Sequence, residues 1–171
     1  QLTKITGIEA EKYAGEVAEE NFLDTPLTLQ DYQKAARTGE DPVQRLRTGG
    51  TTYNETLTKL YANQAKADLL NQLQLDQESV LTRVKSGELA DIDSIKGEMS
   101  AAVSVYSNVI SNIDAEAGMQ FSSQAATYTK QYFKSAMKEV SEKAEAELQL
   151  KVQSQIEGFA RNLENFIQEE S

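Results

Sequence analysis

The chain contains no cysteine, no histidine and no tryptophan, and both of its prolines lie before residue 43. Each absence removes a class of chemistry. Without cysteine there are no disulfides and no thiolate metal sites. Without histidine there is no imidazole base. That excludes triads built on it, zinc fingers, the usual zinc hydrolase sites and the Glu-x-x-His pair of di-iron bundles. No run of about 18 apolar residues occurs, so no segment reads as a membrane-spanning helix. No glycine-rich phosphate loop is present. No basic segment leads into an apolar one, and the first residue is Gln1, so the chain reads as a processed product or a piece of a longer protein.

What remains is a helix-forming sequence of 171 residues, 39% hydrophobic and 26% charged. Aromatics are sparse, with seven Tyr and five Phe, as in long two-faced helices that each bury one stripe. The length suits one domain, or a compact lobe with a long projection. Lys and Arg number 17 against 27 Asp and Glu, a net charge of -10. That balance argues against a broad nucleic-acid surface, which needs clustered Lys and Arg, and against adsorption to anionic membrane. It reads as a solvated acidic exterior.

Residues 1–88 read as a helical N-terminal region, loop-rich over 24–52. A first helix covers 1–23, with Thr3 as a cap and Ile5, Ile8, Tyr13, Val17 and Phe22 as a rough apolar stripe. Asp24-Thr25-Pro26 ends it, because the residue before proline is pushed out of the α region. Thr28 then opens a short helix with Leu29, Tyr32 and Ala35, closed by Gly39. Asp41-Pro42 starts a brief helix carrying Val43 and Leu46, and Gly49-Gly50 stops it. From Thr51 to about Leu75 a strong helix repeats Tyr53, Leu57, Leu60, Tyr61, Ala65, Leu69, Leu70 and Leu73 at three- and four-residue steps. Val80, Leu81 and Val84 continue the pattern up to Gly87, with Asp76 either a kink or part of one helix.

Residues 89–171 read as a long helical segment with heptad-like seams. There is no proline from Asp91 to Ser171, and one unbroken helix there would be about 120 Å long. Ile92, Ile95, Met99, Ala102, Tyr106, Val109 and Ile113 alternate three and four residues apart, the seam of a coiled coil or bundle helix. The frame slips near Ala117, and Gly118 marks a bend or a reversal if the helix breaks. A later frame runs Val152, Ile156, Phe159, Leu163 and Phe166. Glu139–Lys143, Glu147–Lys151 and Glu157–Arg161 are Glu-before-base pairs four apart, each worth a few tenths of a kcal/mol.

Polar constellations read as structure first. Asp91 and Asp93 cap a helix; the third ligand position and the glycine position of a calcium loop are Ile95 and Lys96. Asn54-Glu-Thr56 matches a glycosylation sequon by coincidence. Lys130, Lys134 and Lys138 form a ridge at four-residue steps, with no acid between Glu116 and Glu139. The ridge is a solvated face opposite an aromatic seam, or a contact strip for an acidic partner, nucleic acid or lipid headgroups.

The stretch from Ile92 to Ile167 carries Ile-Lys-Gly-Glu-Met at 95–99, Ala-Glu-Ala-Gly-Met-Gln-Phe at 115–121 and Tyr-Thr-Lys-Gln-Tyr-Phe at 128–133. It then runs as a charged helix ending Phe-Ala-Arg-Asn-Leu-Glu-Asn-Phe-Ile. In helical texture, over about half of the chain, it resembles the internal virion or ejection proteins of short-tailed bacteriophages. It is similar in style to phage tail-interior helices. The resemblance implies a structural role: storage in the virion, release with the genome, and assembly with other virion proteins into a conduit through the host envelope.

The expected fold is all-α and elongated, an assembly of helical bundles or coiled coils with short N-terminal helices and one or two very long C-terminal ones. The expected function is structural and non-enzymatic, by self-association, with no cofactor and no metal. Ile92, Ile95, Met99, Tyr106, Val109 and Ile113 form one packing seam, and Val152, Ile156, Phe159, Leu163 and Phe166 another. The alternative is a compact helical-bundle binding module of sensor, secreted-effector or adaptor type, folding back near Gly118 or around 141–147.

Overall fold

The computed structural model of the protein describes residues 2–170, with side chains placed for 7–165 and Glu169. Five α-helices follow one another: α1 Leu2–Asp24, α2 Leu29–Thr38, α3 Thr51–Lys85, α4 Ile92–Ile113 and α5 Ala115–Glu170, with a 3-10 turn at Gln44–Leu46. Among the described residues there is no strand. The all-α expectation is met.

Local chemistry explains most boundaries. Thr28 caps α2 in a reciprocal box with Asp31, and Gly39 ends it at a φ of 72°, a left-handed conformation suited to glycine. The segment after Asp41 closes into a 3-10 turn rather than a helix; the Asp41 side chain accepts from the Val43 amide at 2.9 Å. In α3 neither proline nor glycine interrupts residues 51–85. Asp76 makes no kink: its carboxylate accepts from Gln72 at 2.8 Å and from the Tyr106 hydroxyl, and the helix runs through. Gly87, at a φ of 83°, terminates the chain's turn after α3. Asp91 caps α4 by accepting from the Ser94 amide and hydroxyl. The Ser94 side-chain hydrogen bond, then the backbone one, lower its pKa.

The C-terminal segment is two helices, not one. Asp114 adopts extended backbone, ends α4, and caps α5 by accepting from the Ala117 amide at 3.0 Å. The chain reverses there, four residues before Gly118. Gly118 lies inside α5, where a Cβ would sit 2.0 Å from Ser111 Oγ and 2.9 Å from Ser111 Cα. Its bare backbone is what lets the two helices meet next to the turn. The slip of the heptad frame at Ala117 therefore marks a change of helix.

The three long helices form an up-down-up bundle. Ser107 meets Ser122 and Ser111 meets Gly118, so α4 and α5 run antiparallel. Tyr106 meets Asp76 and Glu98 meets Arg83, so α3 and α4 do too. α1 and α2 pack over the N-terminal half of α3, where Phe22 lies edge-on to Tyr61 at 4.9 Å. On α1 the buried face is Ala18 with Phe22 half-buried beside it, whereas Ile8 and Tyr13 of the expected stripe are exposed. The side chains of Thr3 and Ile5 lie outside the described residues.

The buried line on α3 is Leu57, Tyr61, Ala65, Leu69, Leu73, Gln77, Val80 and Val84. Steps of four overshoot a helical turn by about 40° each, so the line winds around α3. Its early part, Leu57 to Leu73, shares a cluster with residues of all the other helices, and its later part, Val80 and Val84, packs with α4 and α5. Two apolar clusters result. The larger gathers all five helices around Tyr32, Tyr61, Leu69, Ile110 and Phe121. The smaller gathers Val80, Val84, Ile95, Met99 and Ala136. Gln77 sits between them, wholly buried, its Nε2 donating to Thr129 Oγ1 at 2.6 Å, while its Oε1 has no protein partner. A buried amide of this kind fixes the register of neighbouring helices.

One side chain ties three segments at the reversal. Arg47 donates Nε to Thr58 Oγ1 at 2.7 Å and Nη2 to the Ile113 carbonyl at 3.0 Å, and pairs Nη1 with Asp41. The guanidinium fork thus joins the 41–50 loop, α3 and the last carbonyls of α4, where a positive charge also suits the helix dipole. We expect Arg47→Met to lower the unfolding free energy by roughly 2–4 kcal/mol, since Asp41 loses its charged partner in a mostly covered site. Arg47→Lys should restore little of it, because one ammonium cannot reach all three acceptors. Urea titration followed by circular dichroism checks both.

Three tyrosines have pKa values raised by burial: Tyr32, with Asp68 adding to the effect, Tyr61, and Tyr106, whose hydrogen bond to Asp76 raises it further. The neutral phenol is the form the fold favours. Their stabilisation is complete below pH 10, the unfolded value, and is lost as pH rises through the higher folded values. Unfolding titrations from neutral to strongly alkaline pH should show that loss, and Tyr106→Phe should make it shallower.

Candidate functional site

The two expected seams have opposite fates. In the first, Ile95, Met99, Val109 and Ile113 are buried inside the bundle, Tyr106 is half-buried against α3, and Ile92 is 50% exposed at the mouth of the α3–α4 loop. Its packing is satisfied within the chain. In the second, every described member faces solvent: Val152 is 46%, Ile156 62%, Phe159 70% and Leu163 49% exposed. Phe166 lies outside the residues whose side chains are described.

This difference follows from helix length. α3 holds 35 residues, α4 22 and α5 56, or about 52, 33 and 84 Å. Among the described residues the last of α5 to touch the bundle through hydrogen bonds is Lys143, whose ammonium donates to the Val84 and Lys85 carbonyls at 2.8 and 2.5 Å. It adds a donor to the last carbonyls of α3, of which Val84 also accepts from the Gly87 amide at 3.1 Å. That is also why the Glu139–Lys143 pair does not close. The pairs Glu147–Lys151 and Glu157–Arg161 do not close either, and Lys138 reaches Glu142 at 4.0 Å instead. Beyond Lys143 the described residues are exposed except Gly158, which is half-buried. This final stretch of about 40 Å is an arm that α3 and α4 are too short to cover.

The arm is two-faced. Ile156 and Leu163 alternate with Val152 and Phe159 at three- and four-residue steps, the spacing of a coiled-coil seam. Gln153, Gln155, Ala160 and Asn162 flank that seam with no charge, and Lys151, Glu157, Arg161 and Glu164 stand off it. Over 144–170 there are six acids and two bases.

A second surface lies between α4 and α5, a groove of about 560 Å³. Met99, Val103, Ala126 and Phe133 give it an apolar lining. Ser100, Ser104, Ser107 and Ser122 add small hydroxyl side chains, and Lys96 and Lys130 stand at it, one from each helix. The basic strip is partly absorbed by this geometry: Lys130 borders the groove, Lys134 is exposed beside it, and Lys138 leans to Glu142. Glu98 turns away, held by Arg83 at 2.6 Å. The polar candidates of the sequence are structural: Asn54 donates to and accepts from the Gly49 backbone at the start of α3.

Among the described residues no group of three or more acidic, His or Cys side chains is placed to hold a metal ion. No helix among them is long and apolar enough to cross a membrane. Sequence reasoning found the arm's apolar seam and the lysine ridge but not the groove, which exists only once α4 folds back on α5. The serine spacing on α4 was its one visible signal. Comparison with family models, with curated proteins and with solved structures finds no match to this chain.

The two seams should separate in stability measurements. Ile95→Asp places a charge in a closed core and should cost about 4 kcal/mol or more. Ile156→Asp, measured at high dilution, should change the unfolding free energy by about 0.5 kcal/mol or less. Equal effects at the two positions would contradict the exposure of the arm.

Proposed function

We propose that the chain is a non-enzymatic structural component of a multi-chain helical assembly, in which a bundled body is joined to its neighbours through the arm of α5. The observation that supports this most directly is the row Val152, Ile156, Phe159 and Leu163, apolar and exposed on a helix that no other described residue covers. A helix with one apolar stripe gains stability by burying it. Each such side chain contributes on the order of 1.5–3 kcal/mol when covered. Four of them give a gross gain comparable with the cost of association, roughly 4–15 kcal/mol. The receiving surface must then add apolar contacts of its own. An elongated particle with coiled-coil-like contacts between chains belongs to this reading.

The setting that goes with it is a bacteriophage virion, with other virion proteins as neighbours and a genome-delivery conduit as the assembled form. Support for that setting is the resemblance carried by residues 92–167. The second reading is a helical-bundle binding module acting as a monomer. The internal burial of Ile95, Met99, Val109 and Ile113 favours it, because the body closes its own core.

Light scattering coupled to size exclusion separates the two. The assembly reading expects a mass above the 18.9 kDa of one chain that rises with concentration. It also expects Ile156→Asp or Phe159→Asp to reduce the particle to a monomer of unchanged helicity. A monomer at every concentration, with the same elution for wild type and variants, overturns it.

A further inference from the structure

We propose that the groove between α4 and α5 is the receptor for the arm of a second copy of this chain. The inference rests on the reading of the arm as the assembly element and names the surface it enters. Four observations converge on it.

The first is length. The groove's α4 wall runs from Lys96 to Asn108, about 18 Å, and the arm's exposed row from Val152 to Leu163 spans about 17 Å. The second is shape. A volume of about 560 Å³ is too small for a helix, whose diameter is about 10 Å, and large enough for a few of its side chains. Ser100, Ser104 and Ser107 recur at four- and three-residue steps on the wall, so a neighbouring helix can approach closely while its large residues enter between them. The apolar lining supplies the second surface that the energetics of association require.

The third observation is charge. The chain as a whole is acidic, at -10, and so is the arm, with its six acids and two bases. Two arms brought together repel at long range. The groove carries Lys96 and Lys130, with Lys134 exposed beside it, and its nearby Glu98 is occupied by Arg83. It is the surface to which an acidic helix is steered. The fourth is connectivity. Residues 122–133, which form one wall, and residues 152–163 belong to a single uninterrupted helix. An arm cannot fold back into its own groove, so the occupant comes from another molecule.

A contact of this kind joins two different surfaces, head to tail. Such contacts leave one arm and one groove free at the two ends, and so propagate into a ring or a filament.

The test uses the full chain in two variants. Ser104→Trp fills the groove at an exposed position, and Ile156→Asp spoils the arm. Circular dichroism melts establish that both retain the fold. Each variant alone is expected to lose assembly, with an association constant lower by on the order of tenfold or more. Mixed in equal amounts they are expected to form a dimer and stop there, because only one intact arm and one intact groove remain to meet. Lys96→Glu with Lys130→Glu is expected to weaken assembly as well, most at low salt. If Ser104→Trp assembles like wild type while Ile156→Asp does not, the groove assignment is overturned and the arm reading stands. If wild type is monomeric throughout, both fall. A mixture that shows no complex, when both variants are folded monomers, overturns the head-to-tail geometry.

Discussion

The winding line of buried side chains on α3 organises the rest of the molecule. Because its steps of four rotate about 40° past each turn, no single neighbour can cover it. α1 and α2 join α4 and α5 around the first part, α4 and α5 alone of these cover the remainder, and the core divides into two clusters. Gln77 lies at the division, where its bond to Thr129 joins α3 to α5 at one register. That register decides which residue of α5 reaches the end of α3. It places Lys143 on the Val84 and Lys85 carbonyls and leaves everything after it outside the body.

The same arithmetic accounts for the functional reading. A hairpin that turns at Asp114 gives α4 a partner of matching length in the first part of α5, so the seam of α4 is covered within the chain. The rest of α5 keeps an identical style of seam that no other described residue covers. Body and arm are thus built from one repeating pattern and differ in whether a neighbour is available. The groove on the far side of the α4–α5 pair arises where serines face one another in place of bulky residues, as Ser107 does with Ser122 at 2.9 Å.

Much of this was legible in residue order. The three-and-four spacing placed α3 and its buried residues, Thr28 and Gly39 bounded α2, and Gly87 closed α3. These are local effects of caps, φ restriction and one-sided apolarity. The reversal at Asp114 was displaced by four residues because Gly118 drew attention as a breaker, while the capping carboxylate upstream of it made the turn. Gly118 answers a packing constraint, its distance to Ser111, that only the paired helices reveal. Arg47 was invisible for the same reason: its partners, Asp41, Thr58 and Ile113, are spread over 73 positions of sequence. A heptad seam carries no mark of whether its cover lies in the same chain, so the spacing that found both seams could not tell them apart.

The lysine at the base of the arm has a mechanical meaning. Lys143 is a side chain of α5 that grips the free end of α3 where the two helices part company. A sideways swing of the tip has to stretch those two hydrogen bonds, so the grip stiffens the arm where it leaves the body. The body thereby fixes the direction in which the exposed stripe is held out.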